Sequence, residues 1–150
     1  MNADALRQAA HFCAYQERTV REVRDKLRSW EVSEEDTEEI VARLQAEGYV
    51  SDERFARSFA GGKFRVRQWG RVKIEQEMRR KGVADAERKS GIEEIDEEQY
   101  ARTLKDLLDK KAASLKEPDR WKRRQKLVRF AAGKGYELEL IWRVLGEEEE

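Results

Sequence analysis

This 150-residue chain holds one cysteine, one proline and one histidine. The lone Cys13 excludes an intrachain disulfide and suits a reducing compartment. His11 and Cys13 lie two apart on what reads as one helix, where such positions face different ways. There is no H-E-x-x-H, no paired cysteine set for zinc and no glycine-rich phosphate loop ending in lysine and serine or threonine. Carboxylates are plentiful, but they crowd predicted helix starts, where the helix dipole accounts for them. No catalysis, metal or cofactor is therefore expected. No apolar run approaches the ~18 residues of a membrane helix, and the N-terminus lacks the basic-then-apolar order of a secretory signal. The expectation is a soluble, cytoplasmic protein with no membrane and no small-molecule substrate among its partners.

Charge is what the chain has in excess. Charged residues make up 43% of it, against about 25% in an ordinary globular protein. So much charge needs a large surface for its volume and predicts an elongated, thin-cored molecule. Four Trp, four Tyr and five Phe exclude a disordered chain. The net charge of zero is a cancellation of blocks. Basic stretches at 63–81 and 120–134 oppose acidic ones at 31–39, 93–98 and 147–150. Segregated charge of this kind makes local fields that meet nucleic acid or a charged protein groove.

One apolar framework recurs three times: Val23, Leu27, Val32; Ile74, Met78, Val83; Leu127, Ala131, Tyr136. Successive copies are 51 and 53 residues apart at the third position. A spacing of four then five places two positions on one helical face and the third just beyond the helix end. A period near 50 residues built from helix signals alone predicts tandem helical units. Nine helices follow, in threes, and no segment alternates as a strand. Thr19 to Glu22 reads as a capping box, Ser33 as an N-cap, and Gly48-Tyr49, Gly82-Val83 and Gly135-Tyr136 as glycine stops. Gly61-Gly62 is expected to interrupt the fourth helix or to sit near its end, and Pro118 to sit in the first turn of the eighth. The expected division is 1–50, 51–95 and 96–146, followed by an acidic tail at 147–150.

The stretch Gly48-Tyr49-Val50-Ser51-Asp52-Glu53-Arg54-Phe55-Ala56 resembles the most specific motif of the bacterial RecX regulatory proteins. Gly70-Arg71, Ile74, Met78 and Lys81-Gly82-Val83 are similar to that family's second repeat, and Lys126-Leu127, Phe130 and Gly135-Tyr136 to its third. The resemblance implies an all-α, elongated, curved array of three tandem three-helix repeats. It further implies a nonenzymatic regulator that binds the RecA nucleoprotein filament, limits its extension, ATP hydrolysis and strand exchange, and also associates with single- or double-stranded DNA. The chain departs from the family pattern at Glu31, where glycine is expected by analogy with Gly82 and Gly135. It departs again at Gly61-Gly62, where a basic helix is usual, and at Met78, where leucine is usual.

The binding candidates are the cations Lys63, Arg65, Arg67, Arg71, Lys73, Arg79, Arg80 and Lys81, interleaved with Phe64 and Trp69. Arg65, Arg67, Arg71 and Lys73 are favoured as contacts to phosphates or to an acidic groove. Arg123, Arg124 and Lys126 form a second candidate group, with Trp121, Leu127, Val128 and Phe130 expected to pack inside. These cations either bind a partner or neutralise the 93–98 cluster. The competing reading is a sequence-tolerant DNA-binding protein built from helix-turn-helix-like triads.

Overall fold

The computed structural model describes residues 2–148, and the described residues contain nine α-helices and no strand. In order they are α1 (Ala3–Tyr15), α2 (Val20–Ser29), α3 (Glu34–Ala46), α4 (Asp52–Arg67), α5 (Arg71–Arg80), α6 (Asp85–Glu93), α7 (Glu97–Ser114), α8 (Arg120–Gly133) and α9 (Leu138–Glu148). Their starts are written in side chains. Thr19 and Glu22 form the full capping box of α2, and Ser33, Asp96 and Asp119 accept from the third residue of α3, α7 and α8.

The repeated framework appears as one backbone device used three times. Val32, Val83 and Tyr136 each donate a backbone N–H to the carbonyl five residues earlier, on Leu27, Met78 and Ala131, at 3.1–3.2 Å. The residue before each donor is in the left-handed region: Glu31 at φ 61°, Gly82 at 83° and Gly135 at 101°. This is the Schellman closure of α2, α5 and α8. Glu31 thus occupies the glycine position of the pattern despite its side chain, at about 1–2 kcal/mol of strain. Tyr49 closes α3 in the same way onto Leu44, at 2.8 Å. The framework side chains Val23, Leu27, Ile74, Met78, Val83, Leu127, Ala131 and Tyr136 are all buried.

Two sequence expectations are corrected. Helix α4 passes unbroken through Gly61-Gly62 to Arg67. Its buried face of Phe55, Ala56, Ala60 and Phe64 outweighs the about 1 kcal/mol that each glycine costs a helix. Pro118 lies outside α8, because Asp119 is the N-cap and the helix begins at Arg120. Of the predicted acidic tail, Glu147 and Glu148 continue α9, and 149–150 lie outside the described residues.

The chain packs as two compact units that do not follow the sequence period. Unit 1 takes the residues up to Phe59 together with Glu77–Gly91, and unit 2 takes Ala60–Gln76 with the residues from Ile92 onward. In unit 1 the core gathers Ala5, Ala9 and Cys13 from α1 with Val23 and Leu27 from α2 and Ile40, Val41 and Leu44 from α3. Burial raises the pKa of the Cys13 thiol, a direction that Arg18 and Arg54 oppose. Helix α6 joins this unit through Gly91, where an added Cβ would stand 2.6 Å from the Ala56 carbonyl oxygen. In unit 2 the buried side chains include Phe64 and Ile74, Tyr100, Leu104 and Leu108 of α7, and Ile141, Val144 and Leu145 of α9.

Candidate macromolecular interface

The division into units separates the basic run 63–81. Lys63 to Lys73 belong to unit 2, whereas Arg79, Arg80 and Lys81 belong to unit 1. In unit 1, Arg80 pairs with Glu77 at 3.0 Å, Lys81 lies 6.0 Å from the Phe59 ring centre, and Arg79 is exposed.

In unit 2 the basic segment is shaped by a tight turn between α4 and α5. Gln68 is left-handed at φ 58°, and Trp69 donates its backbone N–H to the Lys63 carbonyl at 3.2 Å. The Tyr136 hydroxyl donates to the Gln68 carbonyl at 2.9 Å and fixes the turn. The Trp69 ring is thereby held between two ammonium groups, Lys63 at 5.0 Å and Lys73 at 4.5 Å from its centre, within cation–π range. Arg65 and Arg67 are exposed beside Val66, which is 80% exposed. The result is an aromatic ring flanked by cations at the end of α4, next to two outward arginines.

Arg71 has other employment. Its side chain is only 21% exposed, and it pairs with Glu137 and Glu97 at 2.7 Å each, with its guanidinium 4.0 Å above the Tyr100 ring. Its backbone N–H donates to the Tyr100 hydroxyl at 2.9 Å, and that hydroxyl donates in turn to Glu137. Burial works against the charge on Arg71, but Glu137, Tyr100 and Glu97 outweigh it, so its pKa rises. Burial and the Glu137 hydrogen bond also push the Tyr100 hydroxyl above its ordinary range. This is an internal tie, and its distant members, Tyr100 and Glu137, carry no local sequence signal. Glu97, from the acidic 93–98 cluster, thus pairs with α5 and not with the cations of α8.

Three cations of α8 are likewise committed within unit 2. Arg123 donates to the carbonyls of Ala112 and Leu115 and closes the end of α7, Arg124 lies 5.0 Å from the Trp142 ring centre, and Lys126 pairs with Glu117 at 3.1 Å. The buried face of α8 is Leu127, Val128 and Ala131, and Trp121, contrary to the expectation that it packs with them, is 68% exposed. Leu138, the first residue of α9, is exposed as well.

The described residues hold no cluster of His, Cys, Asp and Glu suited to a metal, and no described helix is long and apolar enough to cross a membrane. Fold and surface together define a class: tandem three-helix units that carry cationic and aromatic side chains on their surface. Family models described as the first, second and third three-helix domains of RecX match residues 5–44, 51–89 and 97–145. Regulatory protein RecX of Streptomyces lividans is 33% identical over 128 residues, which are 85% of this chain and 68% of that protein. That of Oceanobacillus iheyensis is 31% identical over 135 residues, 90% of this chain and 50% of its own length. The crystal structure of RecX from Lactobacillus salivarius shares the fold with a TM-score of 0.90 at 22% identity, covering 97% of this chain and 94% of its own. The chain belongs to the RecX family of regulatory proteins.

Proposed function

We propose that this chain regulates the RecA recombinase by docking on its nucleoprotein filament, without catalysing a reaction itself, and restrains filament assembly and ATP turnover. The contact surface is the end of α4 and the start of α5: Lys63, Trp69 and Lys73 with the outward Arg65 and Arg67. The observation that most supports this is the Trp69 ring seated between two lysines beside exposed Val66, an apolar element that a merely solvated charged face has no need of. Arg71, Arg123, Arg124 and Lys126 orient helices in this reading, and Arg79, Arg80 and Lys81 are not needed for it.

The test is the single-stranded-DNA-dependent ATPase of RecA with and without the chain. The expected result is inhibition that weakens with salt and falls for the double variant Arg65→Glu/Arg67→Glu, while Lys126→Glu inhibits like the parent. No response at several-fold molar excess of the chain overturns the proposal. A gel shift on duplex and single-stranded DNA without recombinase separates it from a free-standing DNA-binding role.

A further inference from the structure

Helix α1 of unit 1 carries a groove of about 630 Å3 that none of the cation-based reasoning used. Its apolar wall is entirely aromatic: Phe12, Tyr15 and Trp30. Its polar members are Arg7, which pairs with Asp4, and Gln8, His11 and Arg18, and among the described residues no carboxylate and no aliphatic side chain lines it. The Arg18 guanidinium lies 3.8 Å from the Phe12 ring centre and 5.9 Å from that of Tyr15, held by donation from its Nε to the Phe12 carbonyl at 3.1 Å. The Lys26 ammonium stands 5.5 Å from Phe12 and 5.7 Å from Trp30. Tyr15, at the end of α1, is 80% exposed, so the face of its ring is open to a ligand.

We propose that this groove is a binding site for single-stranded nucleic acid, in which unpaired bases stack on Tyr15 and Trp30 and the flanking phosphates meet Arg7, Arg18 and Lys26. Three features select this occupant. Aromatic rings interleaved with cations match a polymer that alternates flat rings with anions. A groove for an amphipathic helix takes aliphatic anchors in apolar pockets, and among the described residues no aliphatic side chain lines this one. A duplex keeps its ring faces inside its own stack, so stacking on Tyr15 requires unpaired bases. The site is independent of the α4–α5 surface and holds whether or not that surface contacts a filament.

The test uses the full chain alone, by fluorescence anisotropy with a labelled oligothymidylate and with a duplex of equal length. Tyr15→Ala is expected to weaken oligothymidylate binding about fivefold or more, since each stacked base contributes on that scale. Tyr15→Phe, which keeps the ring, is expected to bind as the parent does, and duplex affinity to be the same in all three. The exposure of Tyr15 makes these variants fold, which circular dichroism checks. Photocrosslinking with bromodeoxyuridine in the oligonucleotide is expected to label the peptide that contains Phe12 and Tyr15. Equal oligothymidylate affinity for Tyr15→Ala and the parent, an equal loss for duplex, or crosslinks confined to 63–73 would each overturn the assignment. So would loss of a recombinase response in Tyr15→Ala with oligonucleotide binding intact, since the groove would then face protein.

Discussion

The left-handed turns at Gly82 and Gly135 close equivalent helices, α5 at its unit 1 end and α8 in unit 2, but they are covered by different means. In unit 1 the start of α2 reaches the Gly82 turn with a side chain: Arg21 donates to the Arg80 carbonyl at 3.1 Å, and an added Cβ at Gly82 would meet Arg21 Cδ at 2.8 Å. In unit 2 the start of α5 reaches the Gly135 turn with its backbone. Gly70 donates to the Lys134 carbonyl at 2.8 Å and Val72 to the Gly135 carbonyl at 2.9 Å. A Cβ at Gly70 would stand 2.2 Å from the Gly135 carbonyl carbon, and one at Gly135 would stand 2.4 Å from Lys73 Cβ. The same closure therefore makes one forgiving junction and one rigid one. The rigid one lies beside the proposed interface, where a turn held by main-chain hydrogen bonds keeps Trp69 and Lys73 in register.

The largest expected effect breaks the rigid junction. Gly70→Ala forces two backbones apart and should cost about 3 kcal/mol in urea unfolding, and it should also weaken inhibition of RecA by moving the 63–73 turn. Gly82→Ala should cost less, about 1–2 kcal/mol, because only the left-handed φ is penalised once flexible Arg21 swings aside. Equal costs for the two variants would erase the distinction drawn here. Glu31→Gly probes the third turn, where the side chain is exposed and the strain is purely conformational. It should stabilise the chain by about 1 kcal/mol or less, since the glycine's extra unfolded-state entropy offsets part of the relief.

The smallest effect compares the first backbone N–H of α2 with that of α5. The Val20 N–H donates to the Asp52 carboxylate at 2.8 Å, and the Arg71 N–H donates to the Tyr100 hydroxyl. Burial raises the Asp52 pKa against the pull of that hydrogen bond. A folded-state value above the unfolded one means that the folded chain holds the proton longer. The contribution of Asp52 to stability is then full below the ordinary carboxylate value and declines as pH rises through the raised one. Asp52→Asn keeps an acceptor for Val20 without a charge. It should gain stability relative to the parent between acid and neutral pH in matched thermal melts, and a constant difference across that range would contradict the sign. Tyr100 has no such dependence in this window, because its hydroxyl is held above its ordinary alkaline range.

Much of the fold was legible along the chain because its signals are local. A capping box such as Thr19 to Glu22 or a glycine stop such as Gly48-Tyr49 acts within one or two turns of helix, and the framework repeats them at a readable period. Even the departure at Glu31 could be placed, since the positions around it align with Gly82 and Gly135. The candidate site was legible only in outline. Arg65 and Arg71 look alike in a basic run, but one stands in solvent and the other is locked to Glu137, 66 residues away. Trp121 gave no hint of its exposure, because a tryptophan at helical spacing reads as core until the neighbouring helices are seen.

The order of residues by itself determined the nine helices, most of their ends and their grouping in threes, since these depend on side-chain period and on hydrogen bonds between near neighbours. Packing alone decided that α4 runs through two glycines, that Arg71 and Arg123 serve the interior, and that Phe12, Tyr15 and Trp30 share one wall. Those outcomes turn on which distant surfaces meet, and the burial and pairing so created outweigh any preference a short stretch of chain has on its own.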